Sequence, residues 1–383
     1  MTKFYDLLII GGGINGAGIA RDASGRKISV CLVDKNMVGS ATSSWSTKLI
    51  HGGLRYLENY NLRLVRESLK EREIINYIAK DIIRPLPFII PHTNNLRPRW
   101  YIRLGLFIYD LLAGKSKIPK SSQVTMQKEI PNILLNKYKY GFKYFDLQVD
   151  DKELVKLNID NAKKNGAKVI ENAKIINIER KKEKWIINFK NLETIEAKII
   201  INASGPWVND VLSRYFGLKH KKKLRLVKGS HLITKKLYKQ DVAFTLQNDD
   251  KRIIFVIPYK KKFTLIGTTE IEVMNPNNPK INSNEIDYLI TSVNNFFVNK
   301  ISAKDIIDTF SGIRPLVDDF KESSRISRDY YFDLNTESNL SPLLNIYGGK
   351  LTTYRILSEK ALISLKQFLP HMKIESWTQN KKL

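Results

Sequence analysis

The chain begins with two apolar runs that flank a cluster of glycines. Residues 5–10 form the first run, small and apolar residues follow the glycines over 14–24, and residues 28–33 form the second run. Short apolar runs bounded by turn residues are typical of buried strands, and the middle segment favours a helix. The pattern predicts a strand, a turn, a helix and a second strand.

Three glycines in this unit, Gly11, Gly13 and Gly16, have the spacing G-x-G-x-x-G. In a dinucleotide-binding turn they allow, in that order, the tight turn, the approach of backbone to a pyrophosphate, and close packing of helix on strand. The N–H groups at the helix start suit the anion. Asp34 ends the second strand, where a carboxylate accepts hydrogen bonds from a ribose and disfavours the extra phosphate of NADP. The spacing leaves FAD and NAD both open.

Residues 41–58 combine small hydroxyl side chains with a Gly52-Gly53 turn. The polar members are Thr42, Ser43, Ser44, Ser46, Lys48 and His51. Small donors beside a glycine-rich turn suit phosphate and ring-edge contacts. The alternative is a serine-rich N-cap for a helix that starts near Leu62.

Further periodic segments follow the same rules. Predicted helices are 63–80, with Leu64, Leu69, Ile74, Ile75 and Ile78 inward, 152–165, ended by Gly166, and 208–215. Predicted strands are 169 and its neighbours, 174–179, 185–189, 197–203, 253–257 and 264–266. Alternation within 224–269 favours an antiparallel sheet that serves as a substrate platform. Two more glycine elements follow, Gly312 after a strand and Gly348-Gly349 before a helix, and the second could hold a negative charge at the helix N-terminus.

The composition is that of a globular protein with a strong positive charge. The chain has 383 residues, 43% hydrophobic and 27% charged, and a formal net charge of +26. The length suits two domains. The charge fits a phosphorylated small molecule, an acidic lipid surface or nucleic acid, or else a general lysine-rich surface. No nucleic-acid-binding motif is recognised, and lysine runs at likely turns favour the general surface.

Several classes of protein are excluded or disfavoured. A single cysteine excludes an internal disulfide, and Cys31 alternates into the second apolar run as a core residue. Five scattered histidines make a zinc site improbable. No export segment or run of about 18 apolar residues occurs. Residues 100–113 are the most membrane-like stretch, for which a buried helix is the favoured interpretation.

Several motifs together resemble one flavoprotein family. They are GGGINGAG at 11–18, TSSWSTKLIHGGLRYLE at 42–58, INASGPWV at 201–208, KGSH at 228–231, IGTTE at 266–270, GIRPL at 312–316 and YGGKLTTYR at 347–355. Together they are similar to the FAD-dependent, quinone-linked glycerol-3-phosphate dehydrogenases, which are D-amino-acid-oxidase-like flavoproteins. The resemblance covers nearly the whole chain.

The resemblance implies a reaction and a substrate site. The reaction is oxidation of sn-glycerol 3-phosphate to dihydroxyacetone phosphate, with hydride passing from C2 to FAD and electrons passing to a membrane quinone. The implied catalytic residues are Arg314, His231 and Lys350. The implied substrate-binding residues are Arg55, Lys350, Arg328, Tyr56 and Thr352. Paired cations suit a buried phosphate dianion. The acceptor of the hydroxyl proton stays open, because His231 could also pack or orient a partner and Lys350 could act electrostatically.

The resemblance also implies a noncovalent FAD site. Its expected residues are Gly11, Gly13, Ile14, Asn15, Gly16, Asp34, Lys35, Thr42, Ser43, Ser44, Lys48, Leu49, His51, Gly52, Gly53, Ala203, Gly205, Trp207, Gly312, Gly348, Gly349, Lys350, Leu351 and Thr352.

The expected fold is α/β, with a Rossmann-like FAD-binding domain of the glutathione-reductase-like, D-amino-acid-oxidase type and an interleaved antiparallel-sheet substrate domain. We expect the FAD-binding domain to comprise 1–58, 150–216 and 310–370, the substrate domain 59–149 and 217–309, and a tail 371–383. Relatives usually continue into a C-terminal helical domain, which this sequence is expected to lack.

The expected partners are glycerol 3-phosphate, a membrane quinone and an anionic membrane surface, with a possible homodimer and no nucleic acid. The expected location is cytoplasmic, peripheral on the inner face of the cell membrane. Three rivals remain: an oxygen-reducing amine, amino-acid or glycerol-phosphate oxidase, a truncated inactive remnant, and a basic nucleic-acid-associated protein.

Overall fold

The computed structural model describes residues 3–93, 97–318, 329–337 and 340–383. The helices within these residues are α1 (Ile14–Gly25), α2 (Leu62–Ile78), α3 (Arg99–Ala113), α4 (Met126–Glu129), α5 (Asp151–Lys164), α6 (Val208–Phe216), α7 (Ser283–Asn294) and α8 (Tyr354–Ser364).

The strands form two sheets. In chain order they are β1 (Lys3–Ile10), β2 (Val30–Val33), β3 (Leu49–Ile50), β4 (Ile83–His92), β5 (Ser122–Thr125), β6 (Tyr140–Val149), β7 (Lys168–Ile170), β8 (Ile175–Arg180), β9 (Trp185–Phe189), β10 (Ile195–Asn202), β11 (Leu224–Lys235), β12 (Ala243–Gln247), β13 (Ile253–Tyr259), β14 (Phe263–Gly267), β15 (Ile271–Val273), β16 (Ile306–Val317), β17 (Tyr330–Asn335) and β18 (Leu343–Gly348).

The first sheet has the order β17-β18-β10-β1-β2-β7, and β9 and β8 extend it from β10. The strands from β18 to β7 are parallel, with β1 between β10 and β2. The predicted strand, turn, helix and strand is therefore confirmed as β1, α1 and β2. Helices α1, α5 and α8 cover one face through a buried apolar cluster. Carboxyl ends of parallel strands share one edge, so the loops after β1, β2, β10 and β18 meet there.

Strand β2 carries the one cysteine in the core. Cys31 is fully buried. Burial raises the pKa of its thiol to about 12. The thiol is therefore protonated at neutral pH and packs as a small apolar group, as the alternation predicted.

The second sheet has the order β15-β11-β14-β13-β12-β4-β6-β3, with β16 on β11 and β5 on β6. Its pairs are antiparallel except β12 with β4. The antiparallel sheet expected within 224–269 is confirmed by β11, β14 and β13. Strands β3 and β16 include residues that the sequence division gave to the FAD-binding domain, and the division stays a prediction.

Helix α3 departs from the sequence expectation. The helix forms, but the prediction that it is buried was wrong, because its residues are apolar around most of the circumference and only one face packs inward. The buried side chains are Ile102, Leu106 and Tyr109. The exposed ones include Trp100 at 68%, Leu104 at 46%, Phe107 at 56% and Leu111 at 68%. No helix in the described part of the chain is long and apolar enough to cross a bilayer.

The segment 371–383 packs against the helices of the first sheet. The Trp377 indole donates to the Asp22 carbonyl at 3.2 Å, and the Arg355 guanidinium donates to the Thr378 hydroxyl at 3.1 Å. Arg355 is itself held by a bidentate ion pair with Glu71 in α2. The predicted tail is thus bound through a buried charge cluster.

Candidate active site

A cavity of about 1240 Å³ is lined by residues of both sheets. The first sheet contributes the loops that follow β1, β2, β10 and β18. The second contributes residues of β11, β14 to β15, and β16. Sequence segments that are far apart in the chain therefore face one shared cavity.

The glycine loop after β1 has the geometry expected for a dinucleotide turn. Gly11 has a φ of +108°, and a Cβ there would lie 2.6 Å from the Ala203 carbonyl oxygen. A Cβ on Gly16 would overlap the Gly11 carbonyl oxygen. Gly13 is the N-cap residue of α1, and the nearest atom to a Cβ there is the Ser43 hydroxyl at 3.1 Å. The loop therefore tolerates no side chain at Gly11 or Gly16 and leaves its backbone open at Gly13.

Asp34 lies at the end of β2 on the cavity wall. One carboxylate oxygen accepts from the Gly12 N–H at 2.6 Å, and the other accepts from the Asn36 N–H at 2.8 Å. Burial raises the pKa of the carboxyl, although both hydrogen bonds oppose the shift. Asp34 thus holds the glycine loop as well as facing the cavity, and its contact with a ribose stays a prediction.

The hydroxyl-rich segment forms a 3-10 turn at Thr42–Ser44 that lies against the glycine loop. The Ser43 hydroxyl accepts from the Ile14 N–H at 2.9 Å, and the Thr42 hydroxyl donates to the Ile313 carbonyl at 2.9 Å. Helix α2 instead begins after Asn61, which makes no side-chain cap. The alternative of a serine-rich N-cap for that helix was wrong.

Two expected cofactor residues of this segment do not line the cavity. The Ser44 hydroxyl is buried and donates to the Gly39 carbonyl. The Lys48 ammonium donates to Asp151 in α5 at 2.6 Å and to the Ser44 carbonyl at 3.1 Å. The ion pair between Lys48 and the buried Asp151 carboxylate holds the turn against α5. These two side chains therefore hold the turn in position and do not form part of the cavity surface.

The loop after β18 forms the part of the wall beside the start of α1, where the Asn15 side chain donates to the Gly348 carbonyl at 3.2 Å. Gly348 and Gly349 have φ of +71° and +91°. The Thr352 hydroxyl accepts from the His51 N–H at 3.1 Å and donates to the His51 carbonyl at 3.2 Å. This pair of bonds fastens the 51–53 turn to the 348–352 loop, so the two segments of the wall are fixed relative to each other.

Cationic side chains cluster at the second-sheet end of the cavity. Arg55 and Arg314 both line it, and both lie near one carboxylate oxygen of Glu270, at 4.0 Å and 3.6 Å. The Arg314 guanidinium also donates to the Thr268 hydroxyl at 3.1 Å. Two guanidinium groups beside one carboxylate leave a net positive charge that suits an anionic substrate group.

Lys350 and Tyr56 stand together on the same wall. The Lys350 ammonium donates to the Ser68 hydroxyl at 2.6 Å and lies 4.6 Å from the centre of the Tyr56 ring. Both residues line the cavity. The Tyr56 ring and the Ser68 hydroxyl hold the ammonium at the cavity wall, where its positive charge suits an anionic group.

His231 lies in β11 and reaches the cavity while only 1% exposed. Its Nε2 is 3.0 Å from the Thr47 hydroxyl, and its ring stacks on Phe310 at 4.6 Å. Burial first, and then the charges of Arg314 and Lys48, hold the pKa of His231 well below its usual value. The imidazole is therefore neutral at physiological pH.

Most of the expected site residues that the structure describes line this cavity. The exceptions are Gly16, Ser44, Lys48 and Gly52, whose atoms lie behind the wall. Gly16 and Gly52 act through backbone packing, because a Cβ at either would meet neighbouring atoms. Arg328 lies outside the described residues.

Sequence reasoning gave no role to several residues that shape the site. Thr47, Thr268, Glu270 and Asp146 line the cavity. Glu270 and Thr268 belong to IGTTE, which was quoted for its resemblance alone, so the motif carried a signal that was not used. Asp146 lay in a strand-like run and gave no signal of its own.

The match to a family model settles the relationship. The model described as FAD dependent oxidoreductase, DAO, matches residues 6–355. The chain belongs to this family. A solved glycerol-3-phosphate dehydrogenase from Bacillus halodurans complexed with FAD has a TM-score of 0.77 and 29% identity, and the match covers 98% of this chain and 67% of that one. The α/β fold and the FAD cofactor expected from the sequence are confirmed.

Two curated relatives cover nearly the whole chain. A D-erythritol 1-phosphate dehydrogenase of Brucella abortus is 44% identical over 99% of this chain and 76% of its own length. A glycerol-3-phosphate dehydrogenase of Pseudomonas aeruginosa is 43% identical over 99% of this chain and 74% of its own length. Both names describe dehydrogenases of polyol phosphates.

The residues of this FAD-dependent oxidoreductase fit the cofactor. The tight turn at Gly11, the open backbone at Gly13 and the acid at 34 lie on one edge of a parallel sheet, as a bound dinucleotide requires. The Asn15 side-chain oxygen is buried in the cavity wall without a hydrogen-bond partner. A buried acceptor of this kind indicates a missing donor at the site.

Proposed function

We propose that this oxidoreductase oxidises a polyol phosphate, sn-glycerol 3-phosphate, to dihydroxyacetone phosphate. The observation that carries the proposal is the continuity of one cavity from the glycine loop to a cluster of Arg55, Arg314 and Lys350. A phosphate dianion beside a flavin needs several cations, and the two polyol phosphate dehydrogenases at 43–44% identity support the substrate class.

The proposed division of labour extends the roles implied by the family resemblance to the residues of this cavity. Arg55 and Lys350 bind the phosphate, and Tyr56 and Thr352 shape the wall beside it. Arg314 lies by the reacting hydroxyl and stabilises negative charge on its oxygen. The glycine loop and the 348–352 loop would hold FAD, which would supply the hydride acceptor. Arg328 remains part of the proposal as a further phosphate ligand.

His231 is proposed as the neutral acceptor of the hydroxyl proton. Its depressed pKa keeps the ring unprotonated, and the Thr47 hydroxyl and the Phe310 ring fix its orientation. Lys350 is the less suitable acceptor, because an ammonium at neutral pH has no lone pair to receive a proton. Its charge instead favours the alkoxide.

D-erythritol 1-phosphate is the second candidate substrate. The relative of that name is as similar as the glycerol-3-phosphate dehydrogenase. Both molecules carry a phosphate and a secondary alcohol, so the cationic cluster suits either. The ratio of kcat/KM for the two substrates separates them.

We further propose that electrons pass to a membrane quinone and that α3 seats the protein on anionic lipid. The exposed face of α3 carries Trp100, Leu104, Phe107 and Leu111. Exposed lysines at 115, 117 and 120 follow it in the chain. Aromatic and aliphatic side chains beside basic ones match the acyl and headgroup layers of a bilayer surface. Trp100 and Leu104 also line the cavity, so this face adjoins its mouth.

The test is the flavin spectrum of purified holoprotein under anaerobic conditions. Adding glycerol 3-phosphate is expected to bleach the oxidised flavin, and adding a soluble quinone is expected to restore it faster than air does. A flavin that stays oxidised with both polyol phosphates contradicts the dehydrogenase proposal. Faster recovery in air than with quinone favours an oxidase.

A further inference from the structure

The segment 268–270, between β14 and β15, has three consecutive side chains with different surroundings. The Thr268 hydroxyl accepts from Arg314 at 3.1 Å. The Thr269 hydroxyl donates to Glu285 at 2.6 Å and accepts from the Ser230 N–H at 2.9 Å. Glu270 faces the cavity. A buried hub formed by Thr269, Ser230 and Glu285 thus fixes the backbone next to Glu270.

The hub is rigid because each of its polar groups is paired. Glu285 also accepts from the Lys228 ammonium at 2.8 Å and from the Ser230 hydroxyl at 2.8 Å. These bonds hold the pKa of Glu285 below its usual value despite the desolvation that opposes them. A charged, fully bonded hub behind the connection gives Glu270 a defined position.

The carboxylate of Glu270 is placed among cations in the part of the cavity proposed to hold the substrate. Its side chain is 13% exposed, and one of its oxygens lies 3.6 Å from an Arg314 nitrogen and 4.0 Å from an Arg55 nitrogen. A charge-assisted hydrogen bond is about 2.7–2.9 Å long. A carboxylate has about four acceptor positions on its two oxygens, so Glu270 can accept from a substrate hydroxyl in addition to its cationic neighbours.

A fixed carboxylate in a cationic pocket discriminates between substrate groups by charge. A hydroxyl donates a hydrogen bond to it, while a phosphate or carboxylate is repelled by it. The phosphate is therefore directed to Lys350 and to the part of the Arg55 guanidinium remote from Glu270, and the carbon chain to the side of Glu270. Without this carboxylate, Arg55 and Arg314 would also bind the carboxylates of amino acids and hydroxy acids.

We propose that Glu270 is a specificity-determining residue that accepts a hydrogen bond from the terminal hydroxyl of the polyol and excludes carboxylates from that position. The proposal rests on the proposed function, because it assigns the two ends of a polyol phosphate within the same site. It adds which end of the polyol phosphate lies beside Glu270 and why the site selects a hydroxyl over a carboxylate there.

Two analogues of glycerol 3-phosphate with the matching C2 configuration test the assignment. One is 1,2-propanediol 1-phosphate, which lacks the terminal hydroxyl. The other is 3-phosphoglycerate, which has a carboxylate in place of the terminal hydroxymethyl. Dissociation constants are measured with the oxidised holoenzyme from the change in its flavin spectrum, so that the readout does not depend on turnover.

In the unaltered protein, deleting the hydroxyl is expected to weaken binding by about 10- to 150-fold, the range for a hydrogen bond to a charged group. In Glu270→Gln, the preference for glycerol 3-phosphate over 3-phosphoglycerate is expected to fall by about tenfold or more. In Glu270→Ala, deleting the hydroxyl should cost almost nothing further, since its partner is gone. Glu270→Asp retains the charge and should still reject 3-phosphoglycerate.

Glu272→Gln is the matched control, because Glu272 lies two residues away, is 56% exposed and pairs with Arg225. Its analogue ratios should equal those of the unaltered protein. Equal affinity of the unaltered protein for all three ligands overturns the proposal even if a Glu270 variant fails to fold. Unchanged ratios in Glu270→Gln or Glu270→Ala overturn it as well. Absence of any binding or flavin reduction with glycerol 3-phosphate in the unaltered protein instead refutes the proposed function.

Discussion

Replacing Lys350 by alanine tests the phosphate site most directly. The replacement removes the bond to Ser68 and the contact with the Tyr56 ring. Ser68 keeps its hydrogen bond to the Leu64 carbonyl at 2.7 Å, so no buried donor is left unsatisfied. A lost cation–π contact costs about 0.5–1 kcal/mol. We therefore expect Lys350→Ala to fold and to retain FAD.

The loss in substrate reduction should be much larger than the loss in stability. Removing one partner of a desolvated phosphate costs about 2–5 kcal/mol, which corresponds to about 30- to 5000-fold in kcat/KM. Stopped-flow reduction of the flavin measures this for glycerol 3-phosphate and for plain glycerol. The fold-loss should be confined to glycerol 3-phosphate, because glycerol has no phosphate to contact the ammonium.

Two comparison variants sharpen the result. Lys360→Ala removes a lysine that bonds to Glu67 at 2.6 Å outside the cavity, and it should leave both rates unchanged. Arg314→Ala should slow both alcohols, because charge at the reacting oxygen develops with either one. Equal fold-losses for the two alcohols in Lys350→Ala would refute the phosphate role and assign the lysine to the flavin.

Three further predictions concern the cofactor, the membrane and pH. Gly13→Val should abolish FAD binding, measured as flavin per protein, because the side chain fills the space beside the Ser43 hydroxyl; full occupancy contradicts the loop assignment. Replacing Phe107 and Leu111 by serine should reduce co-sedimentation with anionic vesicles without changing flavin reduction; undiminished sedimentation excludes this face. Because the pKa of His231 is depressed in the folded protein, the unfolded chain binds a proton near pH 6.5 that the folded protein does not bind. Acidification below that pH therefore lowers the free energy of unfolding by up to about 1.4 kcal/mol per pH unit. His231→Gln should remove this component of the thermal-unfolding profile between pH 7.5 and 5.5. An equal loss of thermal stability on acidification in the variant and the unaltered protein contradicts this prediction.

The parts of the fold that sequence predicted are those with strong local signals. The unit over 5–34 combines glycine spacing with apolar runs, and it forms as β1, α1 and β2. In α2, the inward residues Leu64 and Leu69 are buried, as their period indicated. Glu71 in the same helix is buried too, against the expectation for a charged residue, because its partner Arg355 comes from α8. Such long-range pairing leaves no local pattern.

The same distinction separates the predicted and the missed parts of the site. Gly11 and Gly13 were assigned from backbone requirements that local spacing expresses. Lys48 was assigned by its neighbours in a polar segment, yet its ammonium is directed to Asp151, more than a hundred residues away in the chain. Glu270 was missed because its significance comes only from the two arginines that the fold places beside it. Residue type and spacing identify loops, whereas charge pairing depends on the tertiary structure.

Helix α3 connects the exposed surface to the site in a way that its apolar sequence could not show. Its buried Tyr109 hydroxyl accepts from the Gly52 N–H at 2.8 Å and donates to Asp146 at 2.8 Å, and Arg72 binds the same carboxylate at 2.9 Å. The Gly52 turn leads directly into Arg55. The opposite face of the helix is the exposed apolar surface. The helix therefore lies between the exposed apolar surface and the turn that leads to Arg55, the residue that we propose binds the substrate phosphate.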